Sequence, residues 1–233
     1  MSSDTRLPVT IVTGFLGAGK TTLIFRLVTA RHRERIGVIV GDVIDTAIDA
    51  ELLTAVVDAI DTVAASTVGA AHVVGALDRM HRIMPALDRI VVETSGLGDP
   101  EPLLDAIRGD LSFAHVDAVI ALADAAEPVS DHHRSARRQL ELATHIIISK
   151  ADLVSPGELS RVRARVRALN PAAEMLAGGG HVLDCELLLD RLASTLSQRD
   201  ALRCSGTPIR RRATRALADH AQHRARRRRS SRF

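Results

Sequence analysis

The chain has 233 residues, of which 46% are hydrophobic and 2% are aromatic, and its formal net charge at pH 7 is +3. This length suits one α/β domain of ordinary size with some additional sequence, and such a domain buries a sizeable core. Because Trp and Tyr are absent, base stacking on aromatic rings is excluded as the main mode of ligand recognition.

The first eight residues are polar and unlike a signal peptide, and no uninterrupted apolar run reaches the length of a transmembrane helix. The two cysteines, Cys185 and Cys204, do not form a C-x-x-C motif and are expected to be reduced thiols. We therefore expect a cytoplasmic protein without a membrane partner.

Short β-branched runs alternate with longer helical patterns, which predicts an α/β fold with a mostly parallel sheet and helices on both faces. Strands are expected at Val9–Thr13, Ile36–Val40, Arg89–Glu93, Ala118–Ala123 and His145–Ser149. Helices are expected at Lys20–Arg31, Ala50–Ile60, Val73–Leu87, Glu101–Ile107, Asp131–Ala143 and Pro156–Leu169. In such sheets ligands bind at the carboxyl ends of the strands.

A phosphate-binding loop (P-loop) follows the first strand. Its residues fit the pattern G-x-x-x-x-G-K-[ST] and are Gly14, Phe15, Leu16, Gly17, Ala18, Gly19, Lys20, Thr21 and Thr22. Glycines let backbone N–H groups approach phosphate oxygens, Lys20 supplies a positive charge near the β- and γ-phosphates, and the Thr21 hydroxyl suits Mg²⁺. This stretch predicts the nucleotide site of a P-loop NTPase.

The lysine content supports the same prediction. The chain has 31 Lys and Arg residues, but only Lys20 and Lys150 are lysines, and both fall in nucleotide motifs. A guanidinium does not mimic the compact charge of an ammonium group on a flexible stem. We therefore expect both lysines to have a role in nucleotide binding that arginine could not fulfil.

A second motif, Glu93-Thr94-Ser95-Gly96, stands at the end of an expected strand. The Glu93 carboxylate can join the Mg²⁺ shell or orient the attacking water, and Gly96 lets a backbone N–H approach the γ-phosphate. By itself this pattern is also that of an ordinary strand-to-loop turn. Asp124, at the end of another strand, is open to two interpretations: a contact to the nucleotide or switch, or a cap of the following turn.

A third motif is Ser149-Lys150-Ala151-Asp152. The Asp152 carboxylate can accept hydrogen bonds from N1–H and the 2-amino group of guanine, while the Lys150 stem packs on the base. Adenine lacks this donor pair, so a buried acceptor discriminates against it. After the first two motifs, the third predicts GTP and GDP as ligands. A small-molecule kinase, which also needs a P-loop, is the less favoured alternative.

With these motifs in this order, the chain resembles the CobW-like family of metallochaperone GTPases, relatives of the urease and hydrogenase nickel-insertion GTPases. The resemblance covers residues 7–190 and rests on Gly14–Leu23, Glu93–Pro100 and Ser149–Leu153, with weaker matches at Ile48–Leu53 and Gln139–Asp152. It implies a P-loop GTPase that hydrolyses GTP to drive delivery of a divalent metal, zinc or cobalt, to a client metalloprotein.

The roles that the resemblance carries over agree with those argued above. Lys20, Thr21 and Glu93 take the catalytic roles, and Thr21 and Glu93 also hold Mg²⁺. The P-loop, Gly96, Ser149, Lys150 and Asp152 bind the nucleotide. Because no residue stands out as an arginine finger or a general base, intrinsic turnover is expected to be slow.

The sequence departs from the family at its metal motif. The family's C-x-C-C corresponds to residues 66–72, which contain no cysteine, so a soft-metal thiolate site cannot form there. Asp42, Asp45, Asp49 and His72 could make a harder oxygen/nitrogen site. The favoured interpretation of these residues is that they are acids of a switch loop and a surface histidine.

The predicted organisation is a GTPase domain at residues 1–177, the start of a C-terminal region at 178–200, and a basic tail at 201–233 that is expected to be disordered. The tail holds 11 Arg and one acid, so its charge is 11 − 1 = +10, whereas residues 1–200 carry 20 − 27 = −7. Such a tail can bind RNA, ribosomes or an acidic partner, fold back on the acidic body, or have no dedicated partner. The alternative function is therefore a regulatory nucleotide-binding protein that no longer handles metal.

Overall fold

The structure, a computed structural model, describes residues 6–30, 34–41, 59–62, 69–127, 134–177 and 188. The chain divides into two compact units, Met1–Ser194 and Thr195–Phe233, and every described residue lies in the first unit. Several sequence predictions fall outside the described residues, among them those for Asp42, Asp45, Asp49, both cysteines and the basic tail.

The described part of the chain folds into alternating strands and helices. The strands are β1 Leu7–Gly14, β2 Ile36–Val40, β3 Ala59–Thr62, β4 Arg89–Glu93, β5 Ala114–Asp124, β6 His145–Ser149 and β7 Glu174–Ala177. The helices are α1 Lys20–Thr29, α2 Ala70–Ile83, α3 Glu101–Asp110, α4 Arg134–Leu142 and α5 Pro156–Leu169, with a 3₁₀ turn at Ala151–Leu153. Among these helices, none is long and apolar enough to cross a membrane.

The strands form one seven-stranded sheet in the order β3-β2-β4-β1-β5-β6-β7. All strand pairs in this order are parallel. The strand order reverses beside β1, because β4 lies on one side of it and β5 on the other. A crevice at such a point, outside the carboxyl ends of the strands, is where ligands bind in open α/β sheets. The fold class predicted from the sequence is confirmed.

The core has two sides because alternate residues of each strand point to opposite faces of the sheet. On one face α1 packs through Leu23, Ile24 and Leu27 against residues such as Val12 and Ile120. On the other face the buried side chains of α2, α3, α4 and α5 cover the sheet. Strands covered on both faces read as continuous apolar runs, which is why the sequence predicted their positions well.

The sequence analysis missed both edge strands of the sheet. The last two residues of the helix expected at Ala50–Ile60 belong to β3, whereas residues 50–58 lie outside the described residues, and β7 was not predicted. The residues of β7 (Glu, Met, Leu and Ala) favour helices in isolation, but pairing with a neighbouring strand overrides that weak preference. Each missed strand pairs with one neighbour, β3 with β2 and β7 with β6. The local sequence does not encode this pairing.

Candidate nucleotide site

The P-loop connects β1 to α1 and adopts a backbone that requires glycine. Gly14 has φ +144°, and a Cβ at this residue would lie 2.8 Å from the carbonyl oxygen of Leu122 in β5. Gly19, the N-cap of α1, has φ +95° in the left-handed region. The loop therefore turns tightly against β5 and presents the N-terminus of α1, where backbone N–H groups favour an anion.

Lys20 is the first residue of α1, and only 6% of its surface is exposed. Its ammonium group lies 3.5 Å from the carbonyl oxygen of Phe15, at the long limit of a hydrogen bond. The side chain thus bends back over the loop. A bound phosphate competes well for this ammonium group, because a hydrogen bond between two charged groups is stronger than one to a neutral carbonyl.

Thr21 and Glu93 meet although 72 residues separate them in sequence. The Thr21 hydroxyl donates to the Glu93 carboxylate, with distances of 3.0 Å to Oε1 and 3.3 Å to Oε2. Glu93 ends β4, the strand beside β1, and is 3% exposed. A hydroxyl and a carboxylate are hard oxygen ligands of the kind that Mg²⁺ prefers, so this pair fits the ion that the motifs predict.

Gly96 brings the loop after β4 onto the P-loop. A Cβ at Gly96 would lie 2.8 Å from the backbone nitrogen and 2.7 Å from Cδ2 of Leu16. No side chain fits in this space without a shift of the P-loop backbone. The residue predicted to sense the γ-phosphate therefore lies against the loop predicted to bind it.

A cavity of about 280 Å³ opens on the other side of the P-loop. Of the predicted site residues, it is lined by Ala18, Gly19, Thr22, Ser149, Lys150 and Asp152. Leu23, Leu122, Ile147 and Leu153 give it apolar walls. An apolar slot with one carboxylate on its lining has the character of a purine pocket.

Lys150 directly follows β6, and its position is fixed by an unusual backbone conformation and by an ion pair. Its φ of +53° is left-handed, which is rare for a residue other than glycine. Its ammonium group lies 2.6 Å from Asp124 Oδ2. The other oxygen of Asp124 accepts from the backbone N–H groups of Ala126 and Glu127 at 2.9 and 3.2 Å. Asp124 therefore caps the turn after β5, which is one of the two interpretations of the sequence, and it also pairs with Lys150.

The predicted site residues thus form two groups on either side of one loop. Lys20, Thr21, Glu93 and Gly96 lie on the side of β4, whereas Thr22, Ser149, Lys150 and Asp152 line the cavity on the side of β5 and β6. Phe15, Leu16 and Gly17 belong to the loop itself, and Leu16 is 48% exposed.

Two further residues contact this region and were not singled out from the sequence. Arg26 of α1 lines the base cavity. Gln139 of α4 donates to the carbonyl oxygens of Gly96 and Gly98. Arg26 lies four residues after Thr22, on the same face of α1, so helical spacing would have been a signal for it. Gln139 begins the weaker family match at Gln139–Asp152, but the sequence did not indicate its contacts, which lie more than 40 residues away.

The described residues hold no group of three or more His, Cys, Asp and Glu side chains that could bind a metal ion. His72 lies exposed in the first turn of α2, and its backbone N–H donates to the carbonyl of Gly69. The acidic residues proposed as its partners are not described. The oxygen/nitrogen metal site thus stays a prediction.

The sequence was compared with protein families and with curated proteins. The family model of the CobW/HypB/UreG nucleotide-binding domain matches residues 8–177. The zinc chaperone CobW of Pseudomonas aeruginosa is 32% identical and matches 74% of this chain. The zinc chaperone YjiA of Escherichia coli is 27% identical and matches 79% of this chain. The matches span 56% and 61% of the length of these two relatives.

Solved structures share the fold. The hydrogenase maturation factor HypB from Archaeoglobus fulgidus superposes with a TM-score of 0.62 at 20% identity, covering 82% of this chain and 91% of that one. The Zn(II)-bound YjiA GTPase from E. coli superposes with a TM-score of 0.53 at 25% identity, covering 78% of this chain and 59% of that one.

Proposed function

Since the chain belongs to the CobW/HypB/UreG family of nucleotide-binding domains, we propose that it is a Mg²⁺-dependent GTPase that acts as a nucleotide-controlled switch in metal delivery. One observation supports this most directly. The Thr21–Glu93 pair lies on the β4 side of β1, and the cavity lined by Asp152 lies on the β5 and β6 side, with the P-loop between them. This arrangement suits a triphosphate on one side and a purine base on the other.

At the phosphate end, the protein contributes position and charge. Lys20 and the α1 N-terminus bind the phosphate oxygens, and Thr21 and Glu93 hold Mg²⁺, which neutralises charge on the β- and γ-phosphates when bound. Gly96 offers its N–H to the γ-phosphate from the loop packed on Leu16. We expect slow intrinsic turnover because these groups position the reactants without an evident general base.

At the base end, Asp152 gives guanine specificity. Its carboxylate accepts hydrogen bonds from N1–H and the 2-amino group of guanine. The apolar walls exclude water that would otherwise hydrogen-bond to the polar groups that another base leaves unpaired. Lys150 is fixed by Asp124 with its stem beside the cavity. With ATP bound, the Asp152 carboxylate would face N1 of adenine, which is also an acceptor. ATP should therefore bind much more weakly than GTP.

The proposed cargo is a divalent metal, zinc or cobalt, delivered to a client metalloprotein in the cytoplasm. Relatives described as zinc chaperones support it. Since residues 66–72 lack cysteine, this chain needs other ligands than thiolates there. Metal analysis of the purified protein with GDP and with a non-hydrolysable GTP analogue tests the cargo. One equivalent of zinc in one of these states supports it, and none in either state refutes it.

Nucleotide titration tests the GTPase proposal. We expect GTP and GDP to bind with Mg²⁺ at least about a hundredfold more tightly than ATP, as in pockets that hydrogen-bond a distinguishing group. Equal affinity for ATP and GTP contradicts the guanine assignment and favours a small-molecule kinase.

Substitution of the P-loop lysine tests where hydrolysis occurs. Lys20→Ala removes the charge on the phosphates, so we expect phosphate release from GTP to fall by about a hundredfold or more. Arg108→Ala is the control, because this side chain is 58% exposed on α3. An unchanged rate in Lys20→Ala places the activity elsewhere.

The basic tail supports a second candidate function, binding of RNA or an acidic partner. Its 11 Arg and one acid give a local charge suited to phosphate backbones. The test compares the full chain with a chain lacking residues 201–233 in RNA binding at several salt concentrations. Salt-sensitive binding that is lost on truncation supports this function, and absence of binding by the full chain excludes it.

A further inference from the structure

Gln139 is a buried polar residue that joins α4 to the loop after β4. It lies in the middle of α4, and 1% of its surface is exposed. Its amide nitrogen donates to the carbonyl oxygen of Gly96 at 3.1 Å and to that of Gly98 at 2.9 Å. Both amide protons are therefore used on one short loop.

This loop is held at three points. At its start, the Thr94 N–H donates to Val12 of β1 at 3.0 Å, and the hydroxyls of Thr94 and Thr13 are 2.9 Å apart. At its end, Arg138 of α4 pairs with Glu101, the first residue of α3, at 2.5 Å. Gln139 holds the part between these two anchors, which contains both glycines.

The glycines are the residues whose backbone most needs an external constraint. Without a Cβ, a glycine rotates more freely than any other residue, and fixing it costs more conformational entropy. Gly96 also touches the P-loop through Leu16, so a rotation of Gly96 changes the distance between this loop and the phosphate site. Gln139 contacts both glycines, and Gly98 is also held within the loop, since its N–H donates to the carbonyl oxygen of Ser95 at 3.0 Å.

The amide oxygen of Gln139 is buried and has no hydrogen-bond partner among the described residues. A buried acceptor without a donor costs about 1–3 kcal/mol. A rearrangement that turns a loop N–H towards this oxygen recovers that energy. Gln139 thus uses both of its amide donors, but its amide oxygen has no donor among the described residues. We expect this of a side chain whose loop adopts a second conformation, in which the oxygen gains a donor.

We propose that Gln139 is a positioning residue for GTP hydrolysis, which sets the conformation of residues 96–98 and transmits its change between the GTP and GDP states to α4. This inference rests on the proposed GTPase function. Gln139 does not reach the phosphates; it acts through the loop that carries Gly96.

Two variants test the proposal. Gln139→Leu removes the amide at similar volume, and Gln139→Glu keeps the shape but turns a carboxylate towards two carbonyl oxygens. For both we expect kcat to fall about tenfold and affinity for a non-hydrolysable GTP analogue to weaken about tenfold. Affinity for GDP should stay within about twofold of the original chain, because the base cavity does not include Gln139.

A matched control separates positioning from folding. Leu140→Ala removes the neighbouring core side chain, which is 2% exposed and does not belong to the loop contact. We expect it to lower the denaturation midpoint while leaving the ratio of GTP-analogue to GDP affinity unchanged. If Gln139→Leu and Gln139→Glu behave like Leu140→Ala, Gln139 has a structural role alone and the proposal is overturned.

Hydrogen exchange on the unsubstituted chain gives a measurement independent of variant folding. We expect the amides of residues 94–99 and 136–142 to change protection together when GDP is replaced by the GTP analogue. A change confined to residues 94–99 overturns transmission to α4. If the unsubstituted chain binds no guanine nucleotide, the GTPase proposal itself has failed, and this inference falls with it.

Discussion

At the scale of single residues, the site depends on atoms that come together from distant parts of the sequence. Thr21 and Glu93, 72 residues apart, share a hydrogen bond because β1 and β4 are neighbours in the sheet. Asp152 reaches the base cavity because β6 lies on the other side of β5. Each of these side chains has a chemical role that a substitution isolates.

Asp152→Asn should change the choice of base. The substitution replaces an acceptor by an NH₂ donor facing the donors of guanine, so we expect GDP affinity to fall about tenfold to hundredfold. Xanthine carries an oxygen where guanine has the amino group, so affinity for XDP should rise. Competition titrations with both nucleotides measure this. Asp105→Asn, on the exposed side of α3, is the control, and a loss of GDP affinity without a gain for XDP contradicts the assigned contact.

Gly96→Ala should separate the loop from the P-loop. The new Cβ would lie 2.8 Å from the Leu16 nitrogen, a distance that backbone atoms cannot accept. We therefore expect phosphate release to slow by about tenfold or more. At Gly109 of α3 no atom lies within 4 Å of a new Cβ, so Gly109→Ala is the matched control. Equal rates in the two variants would show that this close approach does not matter for hydrolysis.

At the scale of elements, polar side chains at helix ends fix the segments that carry the site. Ser155 and Glu158 form a capping box at the start of α5: the Ser155 side chain accepts from the Glu158 N–H, and the Glu158 side chain accepts from the Ser155 N–H. The Ser155 hydroxyl also donates to the Glu158 carboxylate at 2.7 Å, and this bond and that from the Ser155 N–H lower the pKa of Glu158, because both stabilise its charged form. The helix begins at Pro156, as its sequence predicts.

The other end of α5 depends on Asn170, which is 6% exposed. Its amide nitrogen donates to Leu140 and Ala143 carbonyls at 2.8 and 2.9 Å, and its oxygen accepts from Ala173 N–H at 3.0 Å. One side chain thus joins the ends of α4 and α5 to the start of β7. It satisfies backbone groups that helix ends leave unpaired.

Asn170→Asp should weaken this junction without changing its volume. A carboxylate cannot donate to the carbonyls of Leu140 and Ala143, so we expect a loss of about 2–3 kcal/mol in the free energy of unfolding. Urea denaturation measures it. Ser160→Ala, which removes an exposed hydroxyl bonded within α5, should change the midpoint little. If Asn170→Asp and Ser160→Ala have similar denaturation midpoints, the hydrogen bonds of Asn170 do not stabilise this junction.

At the scale of the whole molecule, a buried ion pair ties the strands together at the end opposite the nucleotide site. Arg89, the first residue of β4, pairs with Asp117 of β5 and with Glu34, and also donates to the Thr10 hydroxyl of β1 at 2.9 Å. Burial alone would lower the pKa of Arg89, but the two carboxylates outweigh it and raise the pKa.

A bulge explains how Asp117 reaches this network. The register between β1 and β5 shifts between Val9 and Thr10, and Asp117 is the residue of β5 left without a partner in β1. A bulge of this kind re-aims a side chain, and Asp117 accepts from the Thr10 hydroxyl at 2.8 Å. The network fixes β1, and with it the position of the P-loop at the other end of that strand.

Asp117→Ala should destabilise the whole sheet. It leaves the buried Arg89 guanidinium without its closest partner, which costs about 3–5 kcal/mol. Urea denaturation followed by circular dichroism measures the change. The exposed pair Arg82–Asp78, with side chains 75% and 39% exposed, provides the control: Asp78→Ala should change stability by less than about 1 kcal/mol. Equal effects would mean that burial does not set the strength of the pair.

The sequence by itself determined the parts of this protein whose signal is local. Continuous apolar runs gave five strands, because strands covered on both faces need no polar residues. The glycine pattern from Gly14 to Gly19, the only two lysines and the order of the three motifs predicted a P-loop and guanine as the base. These features are patterns within short segments or in the order of those segments along the chain, so they can be recognised without a structure.

Only the tertiary structure decided what depends on pairing across the sheet. The edge strands β3 and β7 exist because β2 and β6 offer them hydrogen bonds, whatever the helix propensity of their residues. Asp124 proved to be a cap and a partner of Lys150, and Gln139 proved to hold Gly96 and Gly98. Unlike the pairing of the motif residues Thr21 and Glu93, these contacts between distant residues leave no pattern in one sequence, because they are set by which strands and helices become neighbours.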